Sequence, residues 1–451
     1  MRITLLAGGL GLAVLAGLLL EAQDPPSPAS VDRPALARQI LADPDLPDVL
    51  ERARALLRTG FNAGSGYREV WIRDYATFIE LSCDVCDPAE VRNNLLMFFR
   101  LQDDDGNIID GFVPRTQANV GYKYRKKPSV PDYWGHKNTV ETDQETSLVQ
   151  AVATYVRKTG DEDFLRVEVD GRPVLERLEN AMEFLRAHRW DDAHGLLWGA
   201  TTVDWGDVQP EHEWGVELDA DSHLAIDIYD NAMLLLALRD LVSLLGAETS
   251  RARRWQDLAA EVRQNVRRHL WDETRRQFRP HVYLDASPFP ADFDEAAIYY
   301  HGGTAVAIQA GLLSRAEVRQ ALERMRANVR AAGAGSIGLT VYPPYPAGFF
   351  KNPSMRPYGY QNGGDWTWFG GRMILALIEQ GLVAEAYAEL QPMLRRVIDN
   401  QGFYEWYDVD NRPRGSGTFR GEAGVLGKAI GMLRDWAQRQ LEEAAPPATA
   451  R

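Results

Sequence analysis

The chain has 451 residues, 45% hydrophobic, 10% aromatic and 25% charged, the fractions of a folded globular protein and not of a disordered or fibrous one. Fifty Lys and Arg stand against 64 Asp and Glu, a net charge of -14, which repels a phosphate backbone and excludes nucleic acid as a partner. A chain of this length buries a sizeable core without disulfide staples.

Met1-Arg2 and the apolar run Ile3–Leu20 read as an export signal, with Leu20-Glu21-Ala22-Gln23 as the cleavage region. The run is also just long enough to span a bilayer, so the alternative is an uncleaved anchor and, through it, contact with a membrane. Asp24-Pro25-Pro26-Ser27-Pro28 reads as a linker. The expected organisation is a signal or anchor over 1–22, a linker over 23–33 and one catalytic domain over 34–445, in an exported protein, periplasmic or secreted.

Beyond the linker, apolar residues recur at three- and four-residue spacing. The spacing predicts helices over 34–58, 69–82, 88–101, 142–158, 174–187, 223–244, 251–270, 296–312, 315–331, 366–380, 383–398 and 421–441. Gly160, Gly246 and Gly381 each stand just past such a stripe, as helix stops do. Twelve helices make six hairpins. Short aromatic or β-branched stretches near 108–114, 197–203, 277–284 and 403–409 are too isolated for a large sheet, and no strand–helix–strand alternation appears. The expected fold is all-α, an (α/α)6 toroid with short β segments in its loops. Loops over 103–140, 204–222, 280–295 and 332–365 hold most of the Trp, Tyr, Gly, Asp and Glu that helices do not need, and long structured loops are usually functional.

Cys83 and Cys86 form a lone C-x-x-C without a thioredoxin-like context or a second ligand pair, so they read as a local disulfide or two inert thiols. The eight histidines show no H-E-x-x-H spacing, and there is no nucleophile elbow or Walker loop. His136, His212, His223 and His301 read as scattered surface or core residues. Asp103–Asn107 and Asp408–Asp410 lack the full EF-hand spacing and read as solvated turns. Neither a cofactor nor a metal is expected.

Four places combine rings with carboxylates: Tyr67–Tyr75, Thr139–Glu145, Thr202–Asp207, and Tyr360–Trp366 together with Gly402–Asp408. Sugars present flat C–H faces rimmed by hydroxyls, which suit aromatic faces and polar side chains. Glycoside cleavage further needs one carboxyl to protonate the leaving oxygen and another to activate water. Asp204 and Asp207 flank Trp205, and Glu405 lies among Phe403, Tyr404 and Trp406. A carbohydrate is the expected substrate.

Trp71-Ile72-Arg73-Asp74 followed by Asn93–Gln102 resembles the neutral and alkaline invertases. Tyr360-Gln361-Asn362-Gly363-Gly364-Asp365-Trp366 resembles their Tyr-His-Asn-Gly-Gly-Ser-Trp, and Tyr404-Glu405-Trp406-Tyr407-Asp408 resembles their Pro-Glu-Tyr-Tyr-Asp and a segment that carries the base in trehalases and glucosidases. Asp204-Trp205-Gly206-Asp207 is similar to the acid-bearing loop of the wider six-hairpin glycosidases, including Asp-Trp-Asn-Asp of disaccharide phosphorylases. The resemblance implies an inverting (α/α)6 enzyme with Glu405 as general base and Asp204 or Asp207 as general acid. Arg73 and Asp74 would hold the innermost sugar, with Gln361, Asn362 and Trp366 around it. The aromatic and carboxylate segments add Trp71, Glu141, Asp143, Trp205, Gly363 and Trp406 as candidate substrate-binding residues.

Glu-Thr-Asp-Gln-Glu-Thr at 141–146 replaces the invertase Val-Asp-Ser-Gly-Leu-Trp-Trp, so sucrose specificity does not carry over. The expected bond is α-glucosidic, in a disaccharide or oligosaccharide. The alternatives are a glycoside phosphorylase, which the carboxylate of Glu405 disfavours, and a toroid that binds saccharides without turning them over.

Overall fold

The computed structural model describes residues 32–119, 122–213 and 216–444. The expected signal and nearly all of the linker lie outside the described residues. Among the described residues, thirteen α-helices follow in order: α1 (Arg33–Ala42), α2 (Asp45–Leu57), α3 (Ile72–Val85), α4 (Pro88–Leu101), α5 (Gln144–Thr159), α6 (Val174–His188), α7 (Ile228–Leu245), α8 (Ser250–Asn265), α9 (His301–Gln309), α10 (Arg315–Ala332), α11 (Thr367–Glu379), α12 (Val383–Asn400) and α13 (Arg420–Ala444). Six of them close a ring. Helix α3 packs on α5, α5 on α7, α7 on α9, α9 on α11, α11 on α13, and α13 returns to α3. The others lie outside, α1 and α2 both against α13. This is an (α/α)6 toroid.

The two layers differ in composition because they differ in surroundings. Outer α8 buries Ala252, Trp255, Leu258 and Val262, and α10 buries Val318, Ala321, Leu322 and Met325, each a single stripe with a charged opposite face. Inner α7 and α11 are enclosed on all sides, and Thr367 through Leu377 is buried without a break. Contact between ring helices is close enough to need glycine. A Cβ on Gly424 of α13 would meet the backbone of Phe78 in α3.

The predicted first helix divides in two at Asp43-Pro44. Asp43 is extended, as the residue before proline prefers, and Pro44 caps α2. The expected helices at 223–244 and 296–312 start late, because Leu224–Ile226 and Tyr299–Tyr300 are strands. A short apolar run has no period that separates helix from strand. Much of the expected loop 103–140 is also ordered as sheet. Val70–Trp71, Gly111–Pro114, Tyr133–His136 and Tyr124–Arg125 form a four-stranded antiparallel sheet in that order. Gly111 and Gly135 break its strand signature; a Cβ at either would meet Trp71 or Ile109.

Cys83 and Cys86 are free thiols, and burial pushes the Cys83 thiol up to about 12, an unreactive state. No described helix is long and apolar enough to cross a membrane.

Because an outer helix returns the chain between each inner helix and the next, the six inner helices run parallel and their N-termini gather at one end. Carboxylates collect there, where the helix dipoles favour them. Asp74 lies in the first turn of α3, Asp143 and Asp227 cap α5 and α7, and Glu422 lies in the first turn of α13. Asp204, from the loop before α7, accepts the N–H of Gly303 in the first turn of α9 at 2.8 Å.

Candidate active site

A cavity of about 470 Å³ opens at this end of the ring. Its wall includes Trp71, Arg73, Asp74, Glu141, Trp205, Asp207, Gln361, Trp366 and Glu405, residues separated by more than 330 positions in sequence. Asp110, Tyr122, His136, His212 and Tyr67 are also in the wall.

The deepest part is a charge cluster. Arg73 donates through Nε to Asp143 at 2.6 Å and reaches Glu141 at 2.5 Å. The hydroxyl of Tyr229 donates to the same Asp143 oxygen at 2.7 Å. Asp143 is therefore completely covered and stands behind Arg73, off the cavity wall. Burial pushes Asp74 up to about 7 and Asp110 up to about 8, although Arg73 pulls both down. Burial also raises Glu141. Carboxyls that hold protons near neutrality donate as well as accept hydrogen bonds, which suits sugar hydroxyls.

The two candidate acids separate in space. Asp204 has φ 54° and points away from the cavity, under Trp205 and against the N-terminus of α9. Burial holds it up to about 8. Gly302 and Gly303 leave the room that the Trp205 ring and the Asp204 carboxylate occupy. Asp207 faces the cavity and is clasped by the amide of Gln361, whose Nε2 donates to its Oδ1 at 2.7 Å. Trp205 stacks on Phe369 at 4.3 Å between centroids and meets Trp366 edge-on.

Three other expected site residues lie off the wall. Asn362 is fully buried, spanning the backbone of Tyr345 and Met355. Gly363, at φ +90°, turns the chain there and donates its N–H to Thr340. Trp406 packs edge-on against Tyr360.

Glu405 enters from the loop before α13. Tyr67 donates its hydroxyl to Oε1 at 2.8 Å, and the N–H of Ser416 donates to Oε2 at 3.1 Å. Burial raises its pKa, these two donors lower it, and the charge of Asp207 raises it. Tyr67→Phe removes one lowering influence. The acid limb of the pH–kcat/KM profile is then expected to move to higher pH, because the base must lose its proton to act. An unmoved limb would separate Glu405 from that limb.

His136 and His212, read from the sequence as scattered surface or core residues, both line the cavity. Asp110 is a wall residue that the motifs do not single out. It stands in the apolar stretch Ile108-Ile109-Asp110-Gly111, and its isolation there is the one signal the sequence offers. Among the described residues no group of His, Cys, Asp and Glu is arranged to hold a metal ion.

No curated protein matches the sequence. Among solved structures, a GH63 mannosylglycerate hydrolase from Thermus thermophilus in complex with glucose is similar, at 16% identity and TM-score 0.61 over 85% of this chain and 99% of that one. A rhamnosidase from Klebsiella oxytoca with rhamnose bound aligns at 15% identity and TM-score 0.56, over 89% of this chain and 64% of that one. Identities this low show the shared fold alone. The sequence profile of the glycosyl hydrolase 94 superfamily catalytic domain matches residues 47–392, more than two-thirds of the chain. The chain belongs to the glycosyl hydrolase 94 superfamily and is a glycosidase-type enzyme.

Proposed function

We propose that this enzyme hydrolyses a glycosidic bond with inversion, Asp207 acting as general acid and Glu405 as general base. The observation that carries the reading is that both carboxylates face one cavity from separate loops, each held by its own donors. Asp207 delivers a proton to the leaving oxygen. Glu405 takes one from a water that attacks the anomeric carbon from the opposite face. Asp74, Asp110 and Glu141 engage the hydroxyls of the inner sugar, and the rings of Trp205 and Trp366 border its apolar face.

Asp204 supports the acid from below. Its carboxylate fixes the loop to the start of α9 while Trp205 packs over it, and it takes no part in proton transfer.

The bond is α-glucosidic in this proposal, from the resemblance to trehalase- and glucosidase-like enzymes. Phosphorolysis is the weaker reading. Phosphate would have to bind beside the Glu405 carboxylate, and the nearest groups there are Tyr67 and the backbone of Ser416, with no cation among the polar partners described. Export rests on residues 1–23 and belongs to the same proposal.

The test is proton NMR of the first product released from maltose, trehalose and their β-linked counterparts, with and without inorganic phosphate. Maltose is expected to release β-glucose in excess over the anomeric mixture of its reducing end, and trehalose equal amounts of β- and α-glucose because the leaving sugar keeps its configuration, both at a rate indifferent to phosphate. Initial release of α-glucose alone from trehalose, or an α excess from maltose, would overturn inversion. A strict phosphate requirement with glucose 1-phosphate as product would replace hydrolysis by phosphorolysis.

A further inference from the structure

Tyr122 is the one large hydrophobic side chain among the described residues that is strongly exposed, at 42%. A single exposed ring needs no explanation by itself, but this one lines the cavity, where an open aromatic face is available to a ligand. One of its faces is already used. It stacks on His136 with centroids 4.8 Å apart and planes at 24°. Trp71, 6.4 Å away, and Tyr124, 6.1 Å away, both meet it at steep angles and flank the pair. No ring among the described residues stacks on its other face.

The position along the cavity follows from its neighbours. The inner residues Arg73, Asp74, Asp110 and Glu141 are all buried, whereas Tyr122 stands at the open end. Glu69, and then Asp207 and Asp110, lie near enough for their charges to act on the Tyr122 hydroxyl, while Glu405 instead meets Tyr67. The acid protonates the leaving oxygen, so the leaving group occupies the side of Asp207 that faces the mouth.

The charges there are already satisfied. Arg73 is committed to Glu141 and Asp143, and His212 pairs with Asp219 at 3.1 Å. Burial lowers the pKa of His136, which leaves the ring beneath Tyr122 neutral. An anionic leaving group would meet no uncommitted cation among the described residues of this wall.

We infer that the open face of Tyr122 is the platform on which an uncharged, ring-shaped leaving group stacks, and that Tyr122 sets specificity on the leaving-group side. The inference rests on the hydrolysis proposed above. A sugar ring offers the C–H face that such a platform binds, and fluoride offers nothing to stack.

Wild type, Tyr122→Ala and Tyr122→Phe are compared on maltose, trehalose and cellobiose, on α- and β-D-glucosyl fluoride, and on glucosylglycerate. Tyr122→Ala is expected to raise KM for the cleaved disaccharide roughly tenfold, with fluoride release unchanged. Tyr122→Phe keeps the face and should behave as wild type. Glucosylglycerate should be a poor substrate for all three.

An unchanged KM in Tyr122→Ala would overturn the platform while leaving hydrolysis intact. So would a Tyr122→Phe variant as impaired as Tyr122→Ala, or efficient cleavage of glucosylglycerate. Loss of fluoride release in Tyr122→Ala would assign the ring to catalysis or folding instead. Absence of turnover by wild type on every disaccharide and both fluorides would bring down the functional reading, and the inference with it.

Discussion

Asp207→Asn and Glu405→Gln are each expected to lower kcat on a disaccharide by about 10²–10⁴-fold, the usual contribution of a positioned acid or base, and to diverge on glucosyl fluoride. Fluoride departs without a proton, so Asp207→Asn should retain nearly full activity on the fluoride of the correct anomer. Glu405→Gln should stay impaired, because water still has to be activated. The substitutions are close to isosteric. Asparagine keeps the oxygen that accepts from Gln361. Glutamine keeps one oxygen for Tyr67 but turns an amide toward the N–H of Ser416, an unmade bond costing about 1–3 kcal/mol that thermal melting would reveal separately. Equal loss on both substrates in Asp207→Asn would remove Asp207 from the acid role. Asp204→Asn should differ from both. It leaves the cavity wall untouched but weakens the anchor on Gly303, so its effect should appear first in stability.

The toroid is legible in the sequence because each helix carries its own period, and a ring of six hairpins needs little else. The loops announce themselves through rings and carboxylates in places where helices have no use for them. The choice between Asp204 and Asp207 is not legible, since both flank Trp205 with equal claims. Which of the two faces the cavity depends on Gly302 and Gly303, about 100 positions away, whose lack of side chains lets Asp204 turn inward. The pairing of Arg73 with Asp143 spans 70 positions and leaves no local trace. His136 carries no local sign of its role, which depends on strand register: opposite Gly111 and beside Trp71 it becomes the support for Tyr122. Asn362 and Gly363 match a family motif that suggests ligands, yet here they build the turn that presents Gln361.

Arg396→Met is expected to destabilise the fold by about 3–5 kcal/mol, the cost of leaving a buried charge without its partner. The guanidinium donates to Asp365 through Nη1 at 2.9 Å and Nη2 at 2.6 Å, and both side chains are almost completely buried. The pair also carries the site. Asp365 and Tyr407 exchange backbone hydrogen bonds at 2.9 and 2.8 Å, tying the loop of Gln361 and Trp366 to the loop of Glu405. Loosening that tie separates the supports of the proposed acid and base, so kcat should fall in the fraction that remains folded. Glu422 adds a pH dependence. Burial chiefly holds its carboxyl up to about 8, with Arg396 lowering it and Asp365 raising it. Without Arg396 its pKa rises further. A carboxyl whose folded pKa exceeds its unfolded value is most favourable when protonated, and that stability is lost as pH rises through the folded pKa. Urea unfolding of Arg396→Met should therefore show a deficit against wild type that is steady below about pH 8 and widens above it, where Glu422 ionises in wild type but still holds its proton in the variant. Adding Asp365→Asn should recover part of the deficit by removing the second charge. A deficit that stays constant with pH, unrelieved by Asp365→Asn, would mean that Arg396 acts through packing over the Tyr407 ring, 4.2 Å from its guanidinium, and not through charge.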